Sequence, residues 1–192
     1  FYSVQNSNIL ETVSITDKFE IAAGGFLTID EGAVFATAGN EFYDHNSGSH
    51  IINNGTFQIH GDEPFTNLSI PGFTEVIDPA GCTITTDIDG LEDVEFNSSG
   101  QTFSLNEDID YITGDITIAV NTTLDMGEFN LTLADRKTVT NSGTWTAPIT
   151  PSVFTCAGNA TFLGEDMNFF DFSATSTSTD TIIFQGTKTY TV

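Results

Sequence analysis

The sequence predicts an all-β fold, and more specifically a β-solenoid resembling a parallel β-helix, in which short strands stack coil upon coil. Apolar and small polar residues alternate in bursts of about four to six residues, as in ITIAVNTTLDMGEFNLTL at residues 116–133. This alternation is the period of a strand with one buried face. Between the bursts lie Asn, Gly, Ser and Thr, the residues that tight turns require.

The spacing of the bursts favours a solenoid over the alternative, a pair of β-sandwiches. Bursts recur about every seven or eight residues and are separated by Asn-Gly and Asn-Ser-Gly corners. Sandwich strands are usually longer and lie in two facing sheets. In a solenoid each short strand instead stacks on its counterpart one coil away, with its apolar residues inside and Thr, Asn and Asp outside.

A weak internal match divides the chain into two degenerate units, residues 1–101 and 102–192. Residues 19–38 align with residues 116–135 without a gap, and NGTF at residues 54–57 matches SGTW at residues 142–145. Self-similarity at a long period is typical of repeat architectures.

Taken in order, each unit predicts strands separated by corners. In the first unit a strand, a polar corner and a second strand precede three bursts over residues 19–38. A polar loop at residues 39–50 follows, then strands over residues 51–60 and a less regular segment at residues 61–101. The second unit repeats this plan up to residue 147 and ends on Phe-rich strands and a Ser/Thr run.

Charge restricts the partners of this chain. Its 192 residues contain 4 Lys and Arg against 27 Asp and Glu, which gives a formal net charge of -23. Such a surface repels nucleic acids and anionic membranes, so neither is expected as a partner. No apolar stretch is long enough for a membrane span, and no membrane insertion is expected.

Three sequence phrases carry a resemblance to a known class of proteins. ITIAVNTTLDMGEFNLTL, INNGTFQI and TNSGTWTA resemble the degenerate repeats of large prokaryotic extracellular β-solenoid proteins, which include adhesins, autotransporter passengers and filament or sheath subunits. The resemblance implies a cell-surface or secreted structural protein. The chain opens directly on the strand-like FYSV, which is expected of a processed protein or of a segment of a longer one.

The acidic cluster around residue 90 is the candidate metal site. Alternate carboxylates beside a Gly turn suit an oxygen-ligated Ca²⁺, although the full EF-hand pattern is absent. No other cofactor is expected, and His45, His50 and His60 are interpreted as solvated, because their spacing fits no compact metal motif. The four candidate Ca²⁺ ligands are Asp87, Asp89, Glu92 and Asp93.

No catalytic constellation is recognisable, and the chain is not expected to be an enzyme. Solenoid-fold lyases and hydrolases need an Arg base with calcium or Asp acids clustered in a cleft. The one arginine, Arg136, lies in a predicted turn, and there is no nucleophile motif. The two cysteines, Cys82 and Cys156, are compatible with a disulfide or with two buried thiols.

Six Asn-x-Ser/Thr sequences are candidate glycosylation sites on the corners of the predicted coils. They lie at Asn54, Asn67, Asn97, Asn121, Asn130 and Asn159.

Two functions follow from this reading. In the first, strands at the two ends of the chain are unpaired, so copies pair head to tail into a filament, sheath or surface fibre. The second is an adhesin or a carbohydrate- or receptor-binding segment that uses the loop around Phe42, Tyr43 and His45, since loops on rigid scaffolds carry binding. The expected partners of the binding segment are surface glycans, whereas the expected partner of the filament subunit is a second copy of the chain. The candidate assembly residues are Phe1, Tyr2, Val4, Tyr190 and Val192.

Overall fold

A computed structural model describes residues 3–45, 50–66, 70–85, 91–146, 152–175, 179–185 and 190–191. Within these ranges the protein contains strands and turns and no helix. The strands are β1 Ser3–Asn6, β2 Val13–Ser14, β3 Phe19–Ile21, β4 Phe26–Ile29, β5 Val34–Ala36, β6 Phe42–Asp44, β7 Ile51–Asn53, β8 Thr56–Ile59, β9 Phe65–Thr66, β10 Phe73–Val76, β11 Cys82–Ile84, β12 Asp93–Phe96, β13 Thr102–Leu105, β14 Ile109–Ile112, β15 Ile116–Ile118, β16 Thr123–Asp125, β17 Leu131–Leu133, β18 Lys137–Asn141, β19 Thr144–Thr146, β20 Val153–Cys156, β21 Ala160–Gly164, β22 Met167–Asn168, β23 Asp171–Ala174, β24 Ile182–Phe184 and β25 Tyr190–Thr191.

The strands stack in parallel, one coil on the next, and this confirms the predicted β-solenoid. One sheet has nine strands in the order β2-β5-β8-β10-β12-β15-β18-β21-β24. The strands that precede this sheet in each coil form β1-β4-β7 and β14-β17-β20-β23, and those that follow it form β3-β6-β9 and β11-β13-β16-β19-β22-β25. Neighbouring strands in every sheet are parallel and about one coil apart in sequence, so the alternative pair of antiparallel sandwiches is wrong.

The core fills the inside of the coils as rows of residues in register. Alternation along each strand places every second side chain inward, and parallel pairing stacks equivalent positions. Aromatic side chains concentrate in the N-terminal and C-terminal coils, and Phe19 stacks on Phe42 with ring centroids 5.3 Å apart. The central inward row of the nine-stranded sheet is Phe35, Phe57, Thr74, Val94, Ile116, Val139 and Phe162.

The stacking unit is a single coil, and the sheets continue across the predicted boundary between residues 101 and 102. On one face β12 pairs with β15, and on the next β11 pairs with β13. The aligned strands of the two predicted units also occupy different faces, because β15 belongs to the nine-stranded sheet and its aligned counterpart β3 does not. The internal match therefore reflects a shared pattern of strand and corner, and not an equivalent place in the coil.

Buried asparagines close the tightest corners. Asn141 is fully buried at the end of β18, where its side-chain Oδ1 accepts the Gly143 N–H at 3.1 Å and its Nδ2 donates to Asp166 O of the next coil at 2.9 Å. Asn53 makes the equivalent pair of hydrogen bonds, to the Gly55 N–H and to Phe73 O. One amide side chain thus closes its own turn and ties it to the following coil.

Acidic and amide side chains continue the hydrogen bonding between coils at the other corners. The Asp93 carboxylate accepts the Asp115 N–H at 2.9 Å, and the Asp115 carboxylate accepts the Thr138 N–H at 2.8 Å. A second series runs from Asp135 to Asn159 and on to the Thr181 N–H. These ladders give many of the acidic residues a structural role, because a side-chain oxygen replaces the backbone acceptor that the turn removes.

Candidate functional site

The two ends of the nine-stranded sheet expose residues that its middle buries. Among the described residues, β2 pairs only with β5 and β24 only with β21. Val13 precedes Phe35 in the central inward row, Phe184 follows Phe162, and the two end residues are 37% and 43% exposed. Within the described ranges, each end of the sheet therefore has an outermost strand with a neighbour on one side and a partly exposed apolar residue in the inward row.

The N-terminal end also contains a cleft of about 320 Å³. Its apolar wall includes Val4, which packs against the core, together with Phe19 and Phe35. Its polar wall includes Thr16 and Lys18. At the C-terminal end Phe184 stacks on Phe162 with centroids 4.9 Å apart and contacts Phe172 at 5.9 Å. A concave apolar surface thus lies at one end and a column of rings at the other.

The predicted assembly residues are only partly within the described ranges. Val4 lies in β1 and lines the cleft. Tyr190 lies in β25, whose backbone pairs with β22. Phe1, Tyr2 and Val192 lie outside the described residues.

The segment predicted as a binding loop is largely a strand, and this is a correction. Phe42 is fully buried and packs against Phe19, Phe35 and Phe57, so it belongs to the core and cannot contact a ligand. Alternation along β6 turns Tyr43 to the outer face, where its ring lies 4.4 Å from that of His45. Sequence reasoning placed Phe42 outside because the polar residues around it hid the alternation of a three-residue strand.

Tyr43 belongs to a group of exposed and half-buried residues, the one group in the described ranges that places a cation over an aromatic ring. Lys18 Nζ lies 5.0 Å from the Tyr43 ring centroid, 2.7 Å from Glu20 and 3.0 Å from Glu41. The hydrogen bond from Lys18, followed by that from His45, lowers the pKa of Glu20, and the same Lys18–Glu20 bond raises the pKa of Lys18. The group is a compact, polar outer surface with an aromatic ring at its centre.

Of the four predicted Ca²⁺ ligands, the structure describes Glu92 and Asp93. Glu92 accepts the Gly72 N–H at 2.7 Å, and Asp93 accepts the Asp115 N–H. Both carboxylates therefore stabilise corners between coils. Asp87 and Asp89 lie outside the described residues.

A different group of donors lies one coil away from that prediction. The side chains of His60, Asp62 and Asp78 bring ligand atoms within 4.8 Å of one another. The sequence signal was the coil period, since β8 pairs with β10 so that Phe57 lies beside Thr74, 17 residues later. The same offset places His60 within one residue of Asp78 in the next coil. The sequence alone could not reveal this proximity, because it does not give the register between coils.

The candidate glycosylation sites divide into two groups. Asn54 and Asn121 are exposed. Asn97, Asn130 and Asn159 are half-buried, and their Nδ2 groups donate to the carboxylates of Glu75, Asp108 and Asp135. The exposed pair is therefore the more accessible to modification, while Asn67 lies outside the described residues.

Both cysteines are free thiols. Burial raises the pKa of the Cys156 thiol to about 12. For Cys82, burial and then the nearby carboxylates of Asp62, Asp78 and Glu63 raise the thiol pKa to about 12. Neither thiol forms the reactive thiolate near neutral pH.

No known protein family matches the chain, and neither does any curated protein or solved structure. Within the described ranges, the structure contains no helix with the length and apolar character needed to cross a membrane.

Proposed function

We propose that this chain is a structural subunit of an extracellular filament, sheath or surface fibre, and that copies join head to tail through the strand edges of their first and last coils. The observation that carries the proposal is the exposure of the inward row at both ends of one continuous parallel sheet, at Val13 and at Phe184. Parallel strands have evenly spaced hydrogen bonds, so a second copy can continue the ladder in the same direction.

The two ends differ in shape, and this supports a contact between unlike surfaces. The cleft bordered by Val4, Phe19 and Phe35 accepts apolar side chains, and the C-terminal coil presents Phe172 and Phe184. A contact between unlike surfaces can be repeated from copy to copy. When the rotation between copies does not close a ring, the product is a filament. The extracellular setting rests on the resemblance of the repeats and on the acidic surface.

Electron microscopy and sedimentation of the 192-residue chain test the proposal. The net charge of -23 opposes association at low salt, so filaments are expected at about 0.5 M NaCl and not at about 0.02 M, where the Debye length is longer. Filaments are expected to disappear in Val13→Asp, in Phe184→Asp and on removal of the first and last six residues. Val120→Asp is the control, because Val120 is also exposed but lies in a central coil.

A mixture of the two end variants makes the test specific. Val13→Asp retains an intact C-terminal end and Phe184→Asp an intact N-terminal end, so the mixture can form one junction and should give dimers. Filaments that persist in both variants, or monomers of the natural sequence at every salt concentration, would refute the proposal. Circular dichroism and thermal melting establish that each variant retains its strands.

A second candidate function is a binding module for surface glycans, favoured by the outward Tyr43 ring among Lys18, Glu20 and His45. Tyr43→Ala should abolish binding to immobilised glycans and leave assembly intact. Ile52→Ala is the matched control, because Ile52 is an exposed residue on β7, in a different sheet. Equal glycan binding by both variants, or none by the natural sequence, would count against this function.

A further inference from the structure

We propose that His60, Asp62 and Asp78 form a binding site for a first-row divalent metal ion of the Zn²⁺ type. Their ligand atoms lie within 4.8 Å of one another, close enough for one ion to contact an imidazole nitrogen and two carboxylate oxygens. This site is separate from the proposed assembly contact, because it lies beside the central strands of the nine-stranded sheet and not at its ends.

The fold positions the donors from two successive coils. His60 and Asp62 follow β8, and Asp78 follows β10, which pairs with β8 in parallel over four residues. The Ile77 N–H donates to Ile59 O at 2.7 Å, so the pairing extends to the residues next to His60 and Asp78. The separation of the donors is therefore determined by the sheet rather than by a free loop.

Within the described ranges, the donor side chains of this group do not hydrogen-bond to the backbone of the next coil, as other corner carboxylates do. Asp93, Asp115 and Asp135 each accept a backbone N–H of the next coil. In contrast, the side chains of His60 and Asp62 make no hydrogen bond or ion pair with the described residues.

The Asp78 carboxylate leaves one of its oxygens available to an ion. Asp78 is 8% exposed, and one of its carboxylate oxygens, Oδ1, accepts the Ala80 N–H at 2.7 Å. The other oxygen receives no hydrogen bond from a described residue, and none of the described ion pairs reaches this carboxylate. An ion held between His60 and Asp62 would bind this second oxygen.

Glu63 holds the segment that carries His60 and Asp62. Its side chain is 2% exposed, and its carboxylate accepts the N–H groups of His60 and Gly61 at 2.6 Å each as well as the Thr37 hydroxyl. The His60 ring also lies against residue 39, where an added Cβ would come within 2.9 Å of its Nδ1. The hydrogen bonds of Glu63 hold the backbone at His60, and the contact with residue 39 restricts the His60 ring. Outer-shell partners position the ligands of metal sites in the same way.

The chemistry of the donors selects the metal. One imidazole with two carboxylates suits Zn²⁺ and its neighbours in the first transition row, whereas Ca²⁺ prefers six to eight oxygen ligands. Three protein ligands leave a fourth position on a tetrahedral ion for water or an external ligand.

Calorimetric titration of the untagged 192-residue chain with ZnCl₂, and separately with CaCl₂, tests the site. One Zn²⁺ should bind per chain with Ca²⁺ at least about 100-fold weaker, and Zn²⁺ at 100 times its Kd should raise the melting temperature by about 5 °C or more. Co²⁺ should give a visible absorption band at the same stoichiometry. Equal affinity for the two ions, or no binding by natively folded protein, would overturn the proposal.

Two variants and one control connect the binding to these residues. His60→Ala and Asp78→Asn should each weaken Zn²⁺ binding by more than about 100-fold, since outer-shell partners alone account for about 10–100-fold. Asp78→Asn retains the Oδ1 acceptor for the Ala80 N–H, so its turn should stay intact. His50→Ala should change nothing, because the described structure brings that imidazole to one carboxylate, Asp44, at 3.9 Å. Unchanged affinity in His60→Ala would assign the ion elsewhere and refute the site.

Discussion

Asn141 and Thr74 are both polar and both fully buried in the nine-stranded sheet. The Asn141 side chain, at a corner, makes hydrogen bonds, whereas the Thr74 hydroxyl, inside a strand, makes none with the described residues. Asn141 ends β18, and its amide bonds to the Gly143 N–H and to Asp166 O. Thr74 lies inside β10 in the central inward row, and its Oγ1 has no hydrogen-bond partner among the described residues.

The difference has a physical cause. Inside a strand the ladders to the coils on either side use every backbone N–H and C=O, so a buried hydroxyl finds no free partner. At a corner the chain turns and backbone groups lose those partners, so a side-chain amide can bond to them. In this protein buried polar side chains therefore stabilise the corners and are a cost inside the strands.

The largest effect is expected at the glycine of the Asn141 corner. A Cβ at residue 143 would lie 2.2 Å from Thr122 O and 2.4 Å from Ala119 O, so Gly143→Ala forces the coils apart and should lower the free energy of unfolding by about 4 kcal/mol. Gly100→Ala is the control. The φ of Gly100 is +81°, but no atom would lie within 4 Å of an added Cβ. The loss in the free energy of unfolding should therefore be about 1 kcal/mol. Urea denaturation measures both, and equal losses would contradict the close-packing argument.

Removing the corner amide itself should have the next largest effect. Asn141→Ala removes the two hydrogen bonds of the amide, to the Gly143 N–H and to Asp166 O, and the expected loss in the free energy of unfolding is about 2 kcal/mol. Ser142→Ala changes the exposed neighbour and should cost less than about 0.5 kcal/mol. If the two variants melt at the same urea concentration, the amide does not stabilise the corner.

The smallest effect should have the opposite sign. Thr74→Val replaces an unsatisfied hydroxyl by a methyl group of similar size and should raise the free energy of unfolding by about 1 kcal/mol. Thr37→Val is the matched change at a corner, just after β5, and it should destabilise by about 2 kcal/mol because Thr37 Oγ1 donates to Gln58 O and to Glu63. Destabilisation by Thr74→Val would show that the Thr74 hydroxyl has a partner in the folded state.

Local pattern was enough to predict strands, corners and the solenoid class. The alternation at Ile116 and Ile118 indicated their inward positions, and both are buried. The Asn-x-Gly corners were also recognisable, since Asn and Gly supply the turn without help from distant residues. In very short strands the same reasoning failed: Phe42 was assigned to a binding loop and is core.

Residues that meet across coils could not be predicted in the same way. His60 and Asp78 lie in one group only because β8 and β10 pair with an offset of 17 residues, whereas β18 and β21 pair with an offset of 23. Because the number of residues per coil varies, the sequence shows no constant period from which the register could be predicted. An error of one residue in register would place every side chain of the strand on the opposite face.

Alternation and turn chemistry thus determined which segments are strands, which residues are inward and where the chain bends, because these depend on neighbours along the chain. Register between coils determined the rest. It brought Gly143 against Thr122 O, placed the Asp93 carboxylate under the Asp115 N–H and grouped the donors of the proposed metal site. Those contacts join residues about one coil apart, so they arise only when the coils stack.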